Sequence, residues 1–363
     1  MQTLKNKILH QQLKLTHLKK RLFSAQSLIL SQNTPFEIIT RYKHASIRYY
    51  AADEKKYQEP LVFVAPLAVN MAIYDLYPYR SLVKHFQKAG FDVYLIDWGI
   101  LDYQHQQLNF LSFIDDLIPY CLARILEHAQ SEQLSLHGWS MSGIFVTLYT
   151  ARHQPKCVKN LIVLGSPIDS YASGRIGQLF KKTYALIKRK PNIHNYIIHE
   201  KIPKKYIHSP GLLNALGFKI IDPIGWFNSQ KQLLLNLDKI ESLQEHATMG
   251  DFLNKMIDYP GGINQDMVLH LWLQNPLRRG FIDLQGQRIE LKKITCPLML
   301  GIGTRDQIVT EAAAKPLIEL TSSSDITFTQ INGGHLGLMS NQHSAKEFWP
   351  TLEQWLVQRS TTR

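Results

Sequence analysis

The residues with the clearest chemical potential are Gly138-Trp139-Ser140-Met141-Ser142-Gly143. A β-rich run over 134–137 leads straight into them, and an apolar helical pattern over 143–152 follows. A serine on a sharp strand-to-helix turn is held in a strained backbone conformation, so the residues two before and two after it must be small. Gly138 meets that demand, and Ser142 meets it more loosely than a glycine would. Such a turn exposes Ser140 Oγ at a helix amino terminus, where the Met141 N–H and the helix dipole can stabilise negative charge growing on an oxygen. The chemistry this suits is nucleophilic attack on an acyl carbonyl through a covalent intermediate.

Serine is a weak nucleophile until a base takes its proton, so a histidine oriented by a carboxylate is required. On this kind of turn the chain order is Ser, then acid, then His. Asp306 lies just past the apolar run that ends in Gly301-Ile302-Gly303. His335 lies in Asn332-Gly333-Gly334-His335-Leu336-Gly337, after the last β-rich run, where the glycines let a loop carry the imidazole over the sheet edge. Of the fifteen histidines, this is the one in a glycine-rich loop at that place. A second oxyanion donor is expected from the loop after residues 61–65. That loop reads Pro66-Leu67-Ala68-Val69-Asn70, which points to the Val69 amide, with Asn70 either bracing the loop, lining the substrate site or serving as a turn residue. Asp97 and Trp98 read as loop-ordering residues, and Cys121 and Cys296 as packing.

The elements needed to position these groups are legible. β-rich runs fall at 46–50, 61–65, 93–96, 134–137, 161–165, 298–301 and 326–330. Helical patterns fall at 80–89, 111–129, 143–152, 311–320 and 345–358. This alternation predicts an α/β fold of the α/β-hydrolase type, with a mostly parallel central sheet and helices on both faces. The core is expected over residues 34–169 and 291–363, interrupted by a helical lid or cap over 170–290. The first part of that insertion is basic: Arg175, Lys181, Lys182, Lys188, Arg189, Lys190, Lys201, Lys204 and Lys205 stand against Glu200. Two readings compete there: a solvated surface, or a landing zone for an anionic substrate at Lys181, Lys182, Lys188 and Arg189. Residues 1–33 form a separate basic segment, in which Lys5, Lys7, Lys14, Lys19, Lys20 and Arg21 accompany Leu4, Ile8, Leu15, Leu18 and Leu22 at near-helical intervals. That amphipathic helix would pack on its own domain or a partner, or dock on an acidic or lipid surface.

The composition, 45% hydrophobic and 19% charged, is that of a globular protein. The 41 basic and 29 acidic residues leave a formal charge of +12, which favours polyanionic partners without choosing among them. No recognition motif for nucleic acid accompanies the charge, and none is expected to bind. The three cysteines are scattered, which excludes a disulfide framework and metal-ligand spacing. No run approaches the ~20 apolar residues of a spanning helix. The basic amino terminus lacks a compact apolar region with a cleavage site. The expectation is a cytoplasmic protein with no cofactor and no metal.

Further blocks carry a resemblance. Val69-Asn70, Tyr74-Asp75-Leu76, Arg80-Ser81-Leu82-Val83 and the run from Gly90 to Gly99 are similar to the catalytic subunit of class III polyhydroxyalkanoate synthases. So are Gly165-Ser166-Pro167-Ile168-Asp169, Asp306-Gln307-Ile308-Val309, Gly333-Gly334-His335-Leu336-Gly337 and Phe348-Trp349-Pro350. The resemblance spans roughly residues 34 to 358. It implies an acyltransferase that polymerises 3-hydroxyacyl groups from coenzyme A thioesters, with Ser140, Asp306 and His335 at the family's triad positions. It further implies a helical lid and a second synthase subunit, and it is compatible with a homodimer and with association with polyester granules. The chain departs from the family in three places: Ser140 stands where cysteine is typical, Ser142 where glycine is typical, and Gln307 where histidine is typical.

Serine depends on its base far more than cysteine, whose thiol ionises near ~8.5. That keeps a rival reading open on the same scaffold: a serine hydrolase acting on thioesters, esters or stored polyester. A non-catalytic granule or scaffolding protein is the third reading, and the intact set of Ser140, Asp306 and His335 argues against it.

Overall fold

The computed structural model describes residues 2–198, 202–221 and 223–363, without the side chains of 2–8, 198, 218–221, 223–225 and 228. Met1, Glu200 and Lys201 therefore lie outside the described residues, as do the side chains of Leu4, Lys5, Lys7 and Ile8. Among the described residues no helix is long and apolar enough to cross a membrane.

Among the described residues ten strands form: β1 (Glu37–Tyr42), β2 (Ala45–Tyr50), β3 (Leu61–Val64), β4 (Val93–Asp97), β5 (Leu134–Trp139), β6 (Val158–Leu164), β7 (Phe281–Leu284), β8 (Gln287–Glu290), β9 (Leu298–Gly303) and β10 (Ile326–Ile331). Eight of them make one sheet in the order β1-β2-β4-β3-β5-β6-β9-β10. Pairing is antiparallel between β1 and β2 and between β2 and β4, and parallel from β4 to β10. Every residue of β3, β5 and β9 is buried, as strands covered on both faces require. All seven expected strands appear. The sequence reading missed β1, whose residues are mostly exposed or half-buried, and the β7–β8 hairpin inside the insertion.

Helices α1 (Gln2–Phe23), α2 (Leu82–Ala89), α3 (Ile118–Ala129) and α4 (Met141–His153) precede the insertion. The pattern expected as one helix over 111–129 instead opens with a π-helical turn, Ser112–Leu117. The same happens at Ser344–Phe348, ahead of helix Trp349–Val357. Pro119 and Pro350 stand at the second positions of these helices, where the missing proline N–H breaks the backbone ladder. Lys315-Pro316 likewise divides the pattern at 311–320 into Glu311–Ala314 and Pro316–Leu320.

Between β6 and β7 the chain runs through α5 (Gly174–Lys188), α6 (Pro191–Ile198), α7 (Gly211–Ile221), α8 (Pro223–Leu235) and α9 (Ile240–Asn254). Helix α1 lies beside α9 and is held by polar groups: His17 Nδ1 bonds Leu237 O at 2.6 Å, and Arg21 reaches toward Gly250. Its described leucines, Leu9 to Leu22, are exposed. Leu15 and Leu22 remain 54% and 66% exposed.

Candidate active site

The chain steps from β3 to β4 on one side of the sheet and then to β5 on the other, so a crevice opens at the carboxyl ends of β3 and β5. Ser140 sits at that opening, directly after β5 and before the first residue of α4. Its backbone is at φ 59°, ψ −123°, a conformation that costs a non-glycine residue about 1–3 kcal/mol and persists only where its surroundings over-determine it. Two neighbouring serines and one backbone bond do so. Ser166 Oγ donates to Ser140 O at 2.8 Å, and Ser140 N donates to Leu164 O at 2.8 Å. Ser142 Oγ donates to Trp139 O at 2.8 Å and accepts from Trp139 N at 2.9 Å. Ser142 is therefore more than a tolerated small residue: its hydroxyl ties the two sides of the turn.

Close packing explains the small residues around it. A Cβ on Gly138 would lie 2.5 Å from Ser142 O, and one on Gly143 would lie 1.9 Å from Ser166 Oγ. The tightest approach is thus at the third position after Ser140. The sequence reading looked instead to the second.

The three side chains read from sequence converge. His335 Nε2 lies 2.9 Å from Ser140 Oγ, and His335 Nδ1 lies 2.7 Å from Asp306 Oδ2. Asp306 Oδ1 accepts from the amides of Ile308 and Val309, each at 2.8 Å, so both carboxylate oxygens are engaged and the group is fixed. That network makes Nδ1 the protonated nitrogen and leaves Nε2 to accept the Ser140 proton. The loops bearing the acid and the base are tied directly: Arg305 N donates to Gly333 O at 3.0 Å, and Thr304 N to Ile331 O at 2.9 Å. A Cβ on Gly303 would meet Gly333 O at 2.6 Å, which is why glycine ends β9. Asp306 and His335 are only 5% and 7% exposed, while Ser140 remains half-open to the crevice. The Trp139 indole, with its centroid 5.2 Å from that of the imidazole, helps cover His335.

The Met141 amide opens α4, where a helix leaves its first N–H groups without intrahelical acceptors. Val69 is buried in the loop after β3, next to Ala68 at φ 71°. Asn70 caps the short 3₁₀ turn Met71–Asp75, with Oδ1 accepting from Ala72 N at 2.9 Å, and its Nδ2 reaches Lys255 O at 3.4 Å. It is both turn residue and brace. Asp97 accepts from Gly99 N at 2.9 Å and pairs with Arg48 at 2.5 Å, while Trp98 Nε1 donates to Ala65 O at 2.7 Å. Lys181, Lys182, Lys188 and Arg189 are exposed at or beside α5, and none contacts a triad residue among the described residues. The Lys188 ammonium lies over the Tyr184 ring at 4.7 Å.

Burial pushes the Cys121 thiol up to about 12 and the Cys296 thiol to about 11, and Cys157 is raised for the same reason. Among the described residues no group of three His, Cys, Asp or Glu is placed to hold a metal ion.

Residues 70–189 match the family model of the alpha/beta hydrolase fold. The chain is 26% identical over 333 residues to the poly(3-hydroxyalkanoate) polymerase subunit PhaC of Haloferax mediterranei, covering 91% of this chain and 65% of that one. It is also 26% identical over 301 residues to the subunit of that name from Allochromatium vinosum, covering 83% of this chain and 81% of the other. This chain thus spans a little under two thirds of the Haloferax relative and most of the Allochromatium one. Among solved structures, Paleococcus ferrophilus monoacylglycerol lipase superposes with a TM-score of 0.54 at 17% identity, covering 88% of this chain and 100% of the lipase. Mouse alpha/beta hydrolase domain-containing protein 10 superposes with a TM-score of 0.50 at 14% identity, covering 89% and 99%. The chain has the α/β-hydrolase fold, and over most of its length it is similar to proteins named poly(3-hydroxyalkanoate) polymerases.

Proposed function

We propose that this chain is an acyltransferase of the polyhydroxyalkanoate synthase type, with Ser140 as nucleophile, His335 as base and Asp306 as the carboxylate that orients it. The observation that carries the chemistry is the unbroken hydrogen-bonded line from Ser140 through His335 to Asp306 at the crevice. The relatives named poly(3-hydroxyalkanoate) polymerases support a growing poly(3-hydroxyalkanoate) as acceptor, and the family resemblance implies 3-hydroxyacyl-CoA as donor.

In this reading Ser140 Oγ gives its proton to His335 Nε2 and attacks the thioester carbonyl carbon. The amides of Met141 and Val69 hold the oxyanion. Collapse breaks the C–S bond, and the departing sulfur takes the proton from His335. The hydroxyl of a second hydroxyacyl group then loses its proton to His335 and attacks the Ser140 ester. The acyl C–Oγ bond breaks, and Ser140 Oγ takes that proton back from His335, leaving a new oxygen ester on the acceptor. Forming an oxygen ester spends the thioester's driving force in the first step, so later transfers between oxygen esters depend on the base and on excluding water. Serine in the place of the family's usual cysteine is the distinctive element of this proposal. The insertion over 170–290 acts as the lid, the four cations at α5 meet coenzyme A phosphates, and a second synthase subunit and polyester granules are the associations that follow.

Incubation with 3-hydroxybutyryl-CoA, alone and with a companion subunit, tests the reading. Polymer released together with free coenzyme A is expected. Free hydroxy acid without polymer under both conditions would assign the chain to the serine hydrolases.

A further inference from the structure

The loop that follows β3 is not held by its own strand. Ala68 adopts φ 71° while 2% exposed, a left-handed conformation that is costly for a residue with a Cβ. Its carbonyl accepts from Ile257 N at 2.8 Å, and Ile257 belongs to the insertion, just past α9. In a trans peptide C=O and N–H point in opposite directions, so the bond to Ala68 O fixes the direction of the Val69 N–H. Two weaker ties from the same segment run to the same loop: Asn70 Nδ2 to Lys255 O at 3.4 Å, and Tyr259 Oη to Leu67 O at 3.5 Å.

The segment is itself wedged from behind by the start of α7. Asn214 Nδ2 donates to Ile257 O at 2.9 Å, and Ser209 and Tyr259 exchange backbone hydrogen bonds at 2.8 and 3.0 Å. Gly211 N donates to Asp258 Oδ1 at 2.7 Å, and a Cβ on Gly211 would lie 2.0 Å from Met256 O. A line of short contacts thus runs from Asn214 to the Ile257 carbonyl, and from the N–H on the other side of the same residue to the Ala68–Val69 peptide.

We infer that the insertion sets the second oxyanion donor: Asn214, acting through Ile257, is a positioning residue that holds Ala68 in its strained conformation and so aims the Val69 amide. This rests on the acyl-transfer reading above, with Val69 as donor. Without the wedge, Ala68 relaxes out of the left-handed region and the donor turns away, although the triad stays intact. The insertion then does more than cover the crevice. It completes the catalytic geometry from a distance, because strain at a functional loop survives only while a second element over-determines it.

Asn214→Asp replaces the amide that donates to Ile257 O with a carboxylate that repels it. We expect kcat with 3-hydroxybutyryl-CoA to fall about 10-fold, below the ~10²–10³ that follows outright loss of an oxyanion donor. KM is expected to change less than about 2-fold, since the affected interaction forms only in the transition state. Adding Ala68→Gly, which occupies positive φ without strain, should restore most of the lost kcat. A merely structural role for Asn214 would lower the melting temperature, move both kinetic parameters and gain nothing from the glycine. An unchanged kcat in folded Asn214→Asp, or no rescue by Ala68→Gly, overturns the inference while acylation of Ser140 leaves the underlying reading in place. Absence of Ser140 acylation in the unsubstituted chain overturns both.

Discussion

Along β5 every residue from Leu134 to Trp139 is buried, and the turn that follows is tied by hydrogen bonds on each side of Ser140. In α7 and α8, by contrast, Leu212, Leu213, Trp226 and Phe227 are 79%, 57%, 47% and 65% exposed. The first region is packed from within: its strands are covered on both faces, its glycines admit close backbone approach, and the loops bearing Asp306 and His335 bond to each other. The second leaves large apolar side chains in solvent, a concentration that monomeric surfaces seldom carry without a use. The contrast separates chemistry from access. Groups that must hold sub-ångström geometry stand on the rigid sheet edge, while the surface around the crevice is built from helices with few buried anchors. The Ile257–Ala68 bond is one of the places where the core and the insertion meet.

Substitutions in the two regions are expected to differ widely in effect. The largest effects belong to the sheet edge. Ser140→Ala or His335→Ala should lower turnover by about 10⁴–10⁶-fold, and Asp306→Asn by roughly 10⁴-fold, because the imidazole then loses its fixed tautomer. Steady-state coenzyme A release measures all three, and a loss below 10-fold would remove the residue from the triad.

Stability should divide the same way. Leu300→Ala in fully buried β9 is expected to cost about 2–5 kcal/mol. Leu212→Ser in α7 should stay within about 0.5 kcal/mol. Denaturant unfolding of the two variants decides the matter. A comparable cost at Leu212 would show that the insertion is packed as the core is.

The core should also be the acid-labile part. His137 is fully buried within β5, and burial pushes its imidazole down to about 3 from its ordinary value of 6.5. Between those values the unfolded chain binds the proton that the folded one refuses, so stability is full above pH 6.5 and declines as pH falls toward 3. His137→Leu should flatten this decline in the unfolding midpoint measured against pH. An unchanged slope would place the acid sensitivity elsewhere.

The smallest effect concerns the exposed cations. Joint replacement of Lys181, Lys182, Lys188 and Arg189 by alanine should raise KM for the coenzyme A thioester a few-fold and weaken its salt dependence, leaving kcat in place. Unaltered kinetics would make them a solvated surface.

Much of the catalytic half was legible in the residues. The string from Gly138 to Gly143 announces its turn because a strained serine needs small neighbours, and the glycines around His335 mark a loop free to reach over the sheet. Other features carry weaker signatures. β1 reads poorly because Glu37–Tyr42 is an edge strand with little burial to pattern it. The β7–β8 hairpin did offer a signal, Gln285-Gly286 at φ 48° and 76° between alternating residues, but it is short and lies within a stretch otherwise rich in helical patterns. The leucines of α1 follow a helical period, yet the period does not say which face a helix turns inward, and here polar contacts hold it. The Ile257–Ala68 bond joins two backbones far apart in sequence, and no side-chain pattern encodes it.

Whether acyl transfer runs through the elbow serine can be read directly. Brief incubation with 3-hydroxybutyryl-CoA, acid quench and peptide mass mapping should find a 3-hydroxybutyryl ester on the peptide carrying Ser140, and none on that peptide in Ser140→Ala. An acyl group found on another side chain, or turnover that survives Ser140→Ala, would contradict the account.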